Sequence, residues 1–162
     1  MKSVALDTSS LTSVCLTKIL LAERFGATPR YESMAPDLDR MLETHDAALI
    51  IGDPANLALD RAVASLDLGE TWTTWTGLPF VYALWIGPSE RLTPERVDLL
   101  QRAKAWGMEN VAEIAARRGP EHGKSAEYAQ SYLTQAIKFD LNEPQECGLA
   151  LFAEKVRAHG LA

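Results

Sequence analysis

Apolar positions along this chain follow two regimes: short runs bounded by turn residues alternate with helical spacing up to Ile86, and helical spacing alone follows. Val4-Ala5-Leu6 reads as a short buried strand. It leads into the hydroxyl-rich Asp7-Thr8-Ser9-Ser10 and then a helical pattern from Leu11 to Phe25, closed by Gly26. The apolar positions Val14, Leu16, Ile19, Leu20 and Phe25 cover more than one face, which predicts a helix packed between a sheet and another layer. Beyond Thr28-Pro29, Arg30-Tyr31-Glu32 suits an edge strand. Pro36 and Asp37 then start a brief helix with Leu38, Met41 and Leu42 expected inward. Ala47 to Ile51 is the clearest buried strand, bounded by Asp46 and by Gly52-Asp53-Pro54. Strand, helix, strand, helix, strand implies parallel pairing.

Asn56 to Gly69 fits either a strand around Val63 to Leu68 or a helix from Asn56 to Ala64. Glu70 to Trp75 reads as one helical turn, Thr76-Gly77-Leu78-Pro79 as a turn, and Phe80 to Ile86 as a second strongly apolar strand. After Gly87-Pro88, Thr93-Pro94-Glu95 opens a helix that Gly107 is expected to interrupt. A second helix runs from Met108 to Arg117, and Ser125 opens a third with Tyr128, Tyr132, Leu133 and Ile137 on one face. After the extended link Phe139-Asp140-Leu141 the last helix spans Pro144 to His159 and is closed by Gly160. The expected class is α/β, a parallel-rich sheet with flanking helices and a helical C-terminal part. Residues 1–79 would form a ligand-binding lobe, and residues 80–162 a crossover strand with the helical part of another lobe.

Composition narrows the function classes. A chain of 162 residues with 47% hydrophobic content can bury a core. A net charge of -6 without a Lys/Arg cluster argues against nucleic acid or an anionic membrane as partner. No apolar run is long enough to span a membrane, and the N-terminus lacks the layout of a secretion signal. Cys15 and Cys147 form no CxxC pair, which favours a reducing cytoplasm and a role for both as small core residues. His45, His122 and His159 stand in no catalytic order and read as solvated surface residues. No metal-ligand cluster or Gly-rich phosphate loop is present.

Candidate chemistry collects at two strand ends. Ligands of open parallel sheets bind beyond the carboxyl ends of the strands, where both Asp7-Thr8-Ser9-Ser10 and Gly52-Asp53 fall, so the two motifs can line one crevice. A helix start offers unpaired N–H groups and the positive end of the macrodipole, a seat for a carboxylate. Ser and Thr are also ordinary N-caps, but the hydroxyls of Thr8, Ser9, Ser10, Thr12 and Ser13 exceed what one cap requires. Gly52 permits close backbone approach, and Asp53 either accepts a hydroxyl proton or caps the next turn.

These segments carry a family resemblance. Asp7-Thr8-Ser9-Ser10-Leu11-Thr12-Ser13, Ile51-Gly52-Asp53-Pro54-Ala55, Asp67-Leu68-Gly69-Glu70-Thr71-Trp72 and Thr76-Gly77-Leu78-Pro79-Phe80-Val81, followed by Tyr132-Leu133, Phe139-Asp140-Leu141 and Gly148-Leu149 to Phe152, resemble the MqnA family of menaquinone biosynthesis. The resemblance implies a cytoplasmic, two-lobed fold similar to type II periplasmic binding proteins. It also implies a hydro-lyase, chorismate dehydratase, which converts chorismate to 3-[(1-carboxyvinyl)oxy]benzoate without a metal or organic cofactor. Thr8, Ser9 and Ser10 would hold a substrate carboxylate, with Gly52, Asp53 and Thr76 as opposite or hinge-side contacts. Asp53 is the candidate side-chain base, and a substrate carboxylate held against the ring is the other source of one. Leu11 departs from the arginine that the family often has there. Family members also carry a first-lobe segment ahead of the strand at Val4. The expectation is therefore a dehydratase completed by a second copy or a missing-lobe partner, or else a non-catalytic module that binds a small carboxylate.

Overall fold

The computed structural model of the chain describes residues 1–52 and 64–161. Strands β1 (Ser3–Asp7), β2 (Arg30–Met34) and β3 (Ala47–Leu49) form a parallel sheet in the order β2-β1-β3, with Val4 opposite both Tyr31 and Ala47. The α/β class with parallel pairing is as the apolar pattern predicts. Val4 to Asp7 are buried because a central strand is covered on both faces. The Asp46 carboxylate fastens the start of β1 by accepting from the Lys2 and Ser3 N–H groups at 2.5 and 3.0 Å.

The described residues divide into two compact units, Met1–Ala83 with Asn142–Ala162, and Leu84–Leu141. In the first, α1 (Leu11–Ile19) runs into a π-helical turn, Leu20–Arg24, and the chain reverses at Gly26, whose φ of +61° favours glycine. Helix α2 (Leu38–Thr44) is capped by Asp37. It buries Met41 but leaves Leu42 exposed, contrary to the inward expectation, because a seven-residue helix at the sheet edge covers a single stripe. Helix α3 (Leu68–Thr76) begins where Asp67 accepts from the Glu70 N–H at 2.8 Å. That cap makes Leu68 helical and Ser65 to Asp67 irregular, so the described end of the Val63–Leu68 strand is not formed; Val63 itself and most of the alternative Asn56–Ala64 helix lie outside the described residues.

Trp72 of α3 is fully buried against Leu16 and Leu20, and Phe80 and Phe152 meet its ring edge-to-face at 5.5 and 6.0 Å. Phe152 comes from α7 (Glu143–Ala158), which opens with a capping box between Asn142 and Gln145. The expected strand Phe80–Ile86 pairs with no strand among the described residues. Its side chains are used singly instead: Phe80 enters the aromatic core, and the Tyr82 hydroxyl lies over Gly69, where a Cβ would stand 1.7 Å from it. Trp85 and Ile86 are 85% and 86% exposed.

The second unit is helical: α4 (Pro94–Glu109), α5 (Val111–Arg118) and α6 (Ala126–Ser131), the last continuing as a π-helical turn over Tyr132–Ala136. Gly107 does not interrupt α4. A glycine costs a helix only about 1 kcal/mol, too little to break sixteen residues, and the break falls at Asn110. Two further readings are corrected. Cys147 is exposed on α7 rather than a core residue. His45 is not solvated: its side chain is 1% exposed, with Nδ1 2.9 Å from Thr44 Oγ1 and Nε2 3.5 Å from Glu32 Oε2. His159 pairs through Nε2 with Glu23 Oε1 at 2.9 Å. No helix of the described residues is long and apolar enough to cross a membrane.

Candidate functional site

The turn between β1 and α1 is built around Asp7. The strand pattern buries this residue to 1% exposure, so its carboxylate needs donors, and among the described residues three converge on it. Oδ1 accepts from the Ser9 N–H at 2.8 Å and the Ser9 hydroxyl at 2.5 Å, and Oδ2 accepts from the Ile51 N–H at 3.2 Å. The last bond crosses from the end of β1 to the residue before Gly52. Asp7 thus joins the two strand ends that carry the candidate residues. On the other side, the Thr8 N–H donates to the Met34 carbonyl at the end of β2 at 3.3 Å.

Ser10 is the N-cap of α1: its Oγ accepts from the Ser13 N–H at 3.2 Å and donates to Ser13 Oγ at 3.1 Å. The next N–H groups, of Leu11 and Thr12, have no intrahelical acceptor, as at every helix start. Thr8 and Ser9 are exposed, while Thr17, one turn beyond Ser13, is buried and donates back to the Ser13 carbonyl at 2.8 Å. The result is an open lip with a rigid backing.

Gly52 follows β3 with φ +67°, a left-handed conformation that favours glycine, and a Cβ there would meet nothing within 4 Å. Asp53 lies outside the described residues. Thr76 is placed differently. Its hydroxyl donates to the Trp72 carbonyl at 2.8 Å and accepts from the Leu78 N–H at 3.2 Å, closing the end of α3 beside Gly77 at φ +73°. Among the described residues no hydrogen bond joins Thr76 to Asp7, Ser9 or Gly52. Asp7 thus links the turn that carries Thr8, Ser9 and Ser10 to the residue before Gly52, while the Thr76 hydroxyl is engaged at the end of α3. Asp7 is the residue that pattern reading undervalued. An acid ending a buried strand and followed two residues later by serine is the signal that could have marked it.

A parallel α/β unit with a hydroxyl-lined turn at the end of its central strand is the class that fold and site define. Residues 1–158 match the menaquinone biosynthesis family, and the chain belongs to it. The chorismate dehydratase of Thermus thermophilus is 34% identical over a 169-residue alignment covering 93% of this chain and 61% of that protein. The chain thus spans less than two thirds of that relative's length.

Proposed function

We propose that this chain acts as a chorismate dehydratase, a hydro-lyase that removes the ring hydroxyl of chorismate as water together with a ring proton and yields 3-[(1-carboxyvinyl)oxy]benzoate. The observation that carries the reading is the 34% identity to a chorismate dehydratase across 93% of the chain. The strand-end turn suits the substrate. One carboxylate would sit on the Leu11 and Thr12 N–H groups, with Thr8, Ser9 and Ser10 around it and Gly52 and Thr76 completing the contacts. Aromatisation supplies the driving force, so holding the substrate is the main task asked of the protein. Asp53 is the side-chain base of this reading, with a substrate carboxylate as its competitor.

The same reading gives the chain a cytoplasmic location and a fold similar to that of type II periplasmic binding proteins. Incubating the 162-residue chain with chorismate and following the product by chromatography, with binding measured in the same samples, is the test. Turnover supports the dehydratase. Binding without turnover would instead favour a module that holds a small carboxylate and performs no chemistry.

A further inference from the structure

A serine hydroxyl has one proton and two lone pairs, so the direction of its one donated bond decides what it can offer a ligand. The Ser9 proton is committed. Its Oγ donates to Asp7 Oδ1 at 2.5 Å, and Asp7 is pinned by the Ser9 and Ile51 N–H groups, so the carboxylate cannot turn away without breaking bonds to two strand ends. Ser9 itself is exposed. Its remaining capacity toward a ligand is that of an acceptor, which a ligand carboxylate cannot use.

We infer that Ser9, oriented by the buried Asp7, is a specificity-determining residue that accepts a hydrogen bond from a donor on the ligand, and that for chorismate this donor is the ring hydroxyl. The inference rests on the chorismate reading and refines it. Carboxylate binding passes to the helix-start N–H groups and Thr8, while Ser9 distinguishes a hydroxyl-bearing substrate from its product. Asp7 is a positioning residue, acting only through Ser9.

The two ligands make the test sharp. Chorismate and 3-[(1-carboxyvinyl)oxy]benzoate both carry two carboxylates, and only chorismate carries a hydroxyl donor. Affinities for both are measured on the full chain and on Ser9→Ala, as dissociation constants or, where the chain turns over, as KM and the product inhibition constant. Ser9→Ala should weaken chorismate by about 3- to 10-fold, the equivalent of one neutral hydrogen bond, and leave the product within roughly a factor of two. Ser9→Thr, which keeps the hydroxyl, should restore the difference. Asp7→Ala, scored only on protein whose circular dichroism matches the parent, should reduce the chorismate-to-product preference in the same direction. Equal weakening of both ligands by Ser9→Ala would overturn the inference and return Ser9 to carboxylate binding. No change for either would also overturn it. If the unsubstituted chain binds neither ligand, the chorismate reading itself falls and takes this assignment with it, a result distinct from both of those.

Discussion

A carboxylate taken out of water costs several kcal/mol unless donors replace its hydration, and Asp7 has three of them from residues up to forty-four positions apart. Removing it leaves the Ile51 and Ser9 N–H groups without their acceptor. Asp7→Ala should therefore destabilise the fold by about 2–4 kcal/mol, read as a lower urea midpoint with an unchanged denaturant slope. A loss under about 0.5 kcal/mol would mean that water takes over all three bonds. Asp53 makes a contrasting case. If it is the base, Asp53→Asn should lower kcat by about a hundredfold or more while the urea midpoint stays put. A kcat within roughly threefold of the parent would assign proton removal to the substrate carboxylate. Single residues were the least legible level in the sequence. The chemistry of the hydroxyls is local and legible, whereas the burial of Asp7 and His45 depends on partners such as Ile51 and Glu32 that only the folded sheet brings near.

Elements were legible where local chemistry decides them. Strands β1 and β3, the helix starts at Ser10, Asp37 and Ser125, and the stops at Gly26, Gly77 and Gly160 follow from apolar runs, capping side chains and glycines free to take positive φ, whereas the cap at Asp67 falls inside the expected Val63–Leu68 strand. Phe80–Ile86 departs from the strand its pattern predicts because seven apolar residues between turns form a buried strand only if another strand supplies the ladder, and among the described residues none does. Here α3 and α7 take up its first aromatic instead. The packing of α7 gives two predictions. A Cβ on Gly148 would lie 2.1 Å from the Pro79 carbonyl oxygen, so Gly148→Ala must push backbone away and should cost about 1–3 kcal/mol, despite alanine's better helix propensity. Unchanged thermal stability would show that the Pro79 turn yields freely.

The second concerns Glu23, beyond the end of α1, which pairs with Lys155 and His159 of the α7 end while the Lys155 ammonium lies 4.6 Å from the Trp75 ring centre. Burial pushes the Glu23 carboxyl up, but the hydrogen bonds from Lys155 and His159 outweigh it and hold its pKa below the ordinary 4.5. A depressed folded value means that the stabilisation is complete above the unfolded pKa and disappears as pH falls through the folded one. The parent should lose this contribution below pH 4.5, and Glu23→Gln should lack that part of the acid dependence. With the side chain 30% exposed, the difference should stay under about 1 kcal/mol in urea melts run from neutral to acid pH. Parallel pH curves for the two proteins would remove Glu23 from the account.

Burial across the whole molecule is uneven. Among the described residues, the buried apolar side chains of the first unit include Val4, Leu6, Leu16, Ile19, Leu20, Met41, Leu49 and Trp72, whereas the second unit contributes Ala115 alone. Helix α4 buries no residue, and Leu99 and Trp106 on it are 58% and 57% exposed. Helical stability in proteins comes mostly from packing an apolar face, and local opening takes little free energy where few apolar contacts must be broken. Residues 84–141 should accordingly exchange their amide hydrogens through local opening, while β1, α1 and α3 exchange only through events close to global unfolding. Hydrogen exchange followed by mass spectrometry should show peptides of α4 and α6 exchanged at times when β1 and α1 peptides remain protected, with rates at least about a hundredfold apart, the equivalent of roughly 2.7 kcal/mol in opening free energy. Peptides of α5 around Ala115 should fall between them, because Ala115 is buried there and Gly119 packs within a Cβ's reach of its carbonyl. Uniform protection along the chain would mean that the helical unit is covered in solution, and it would direct attention to what lies against α4.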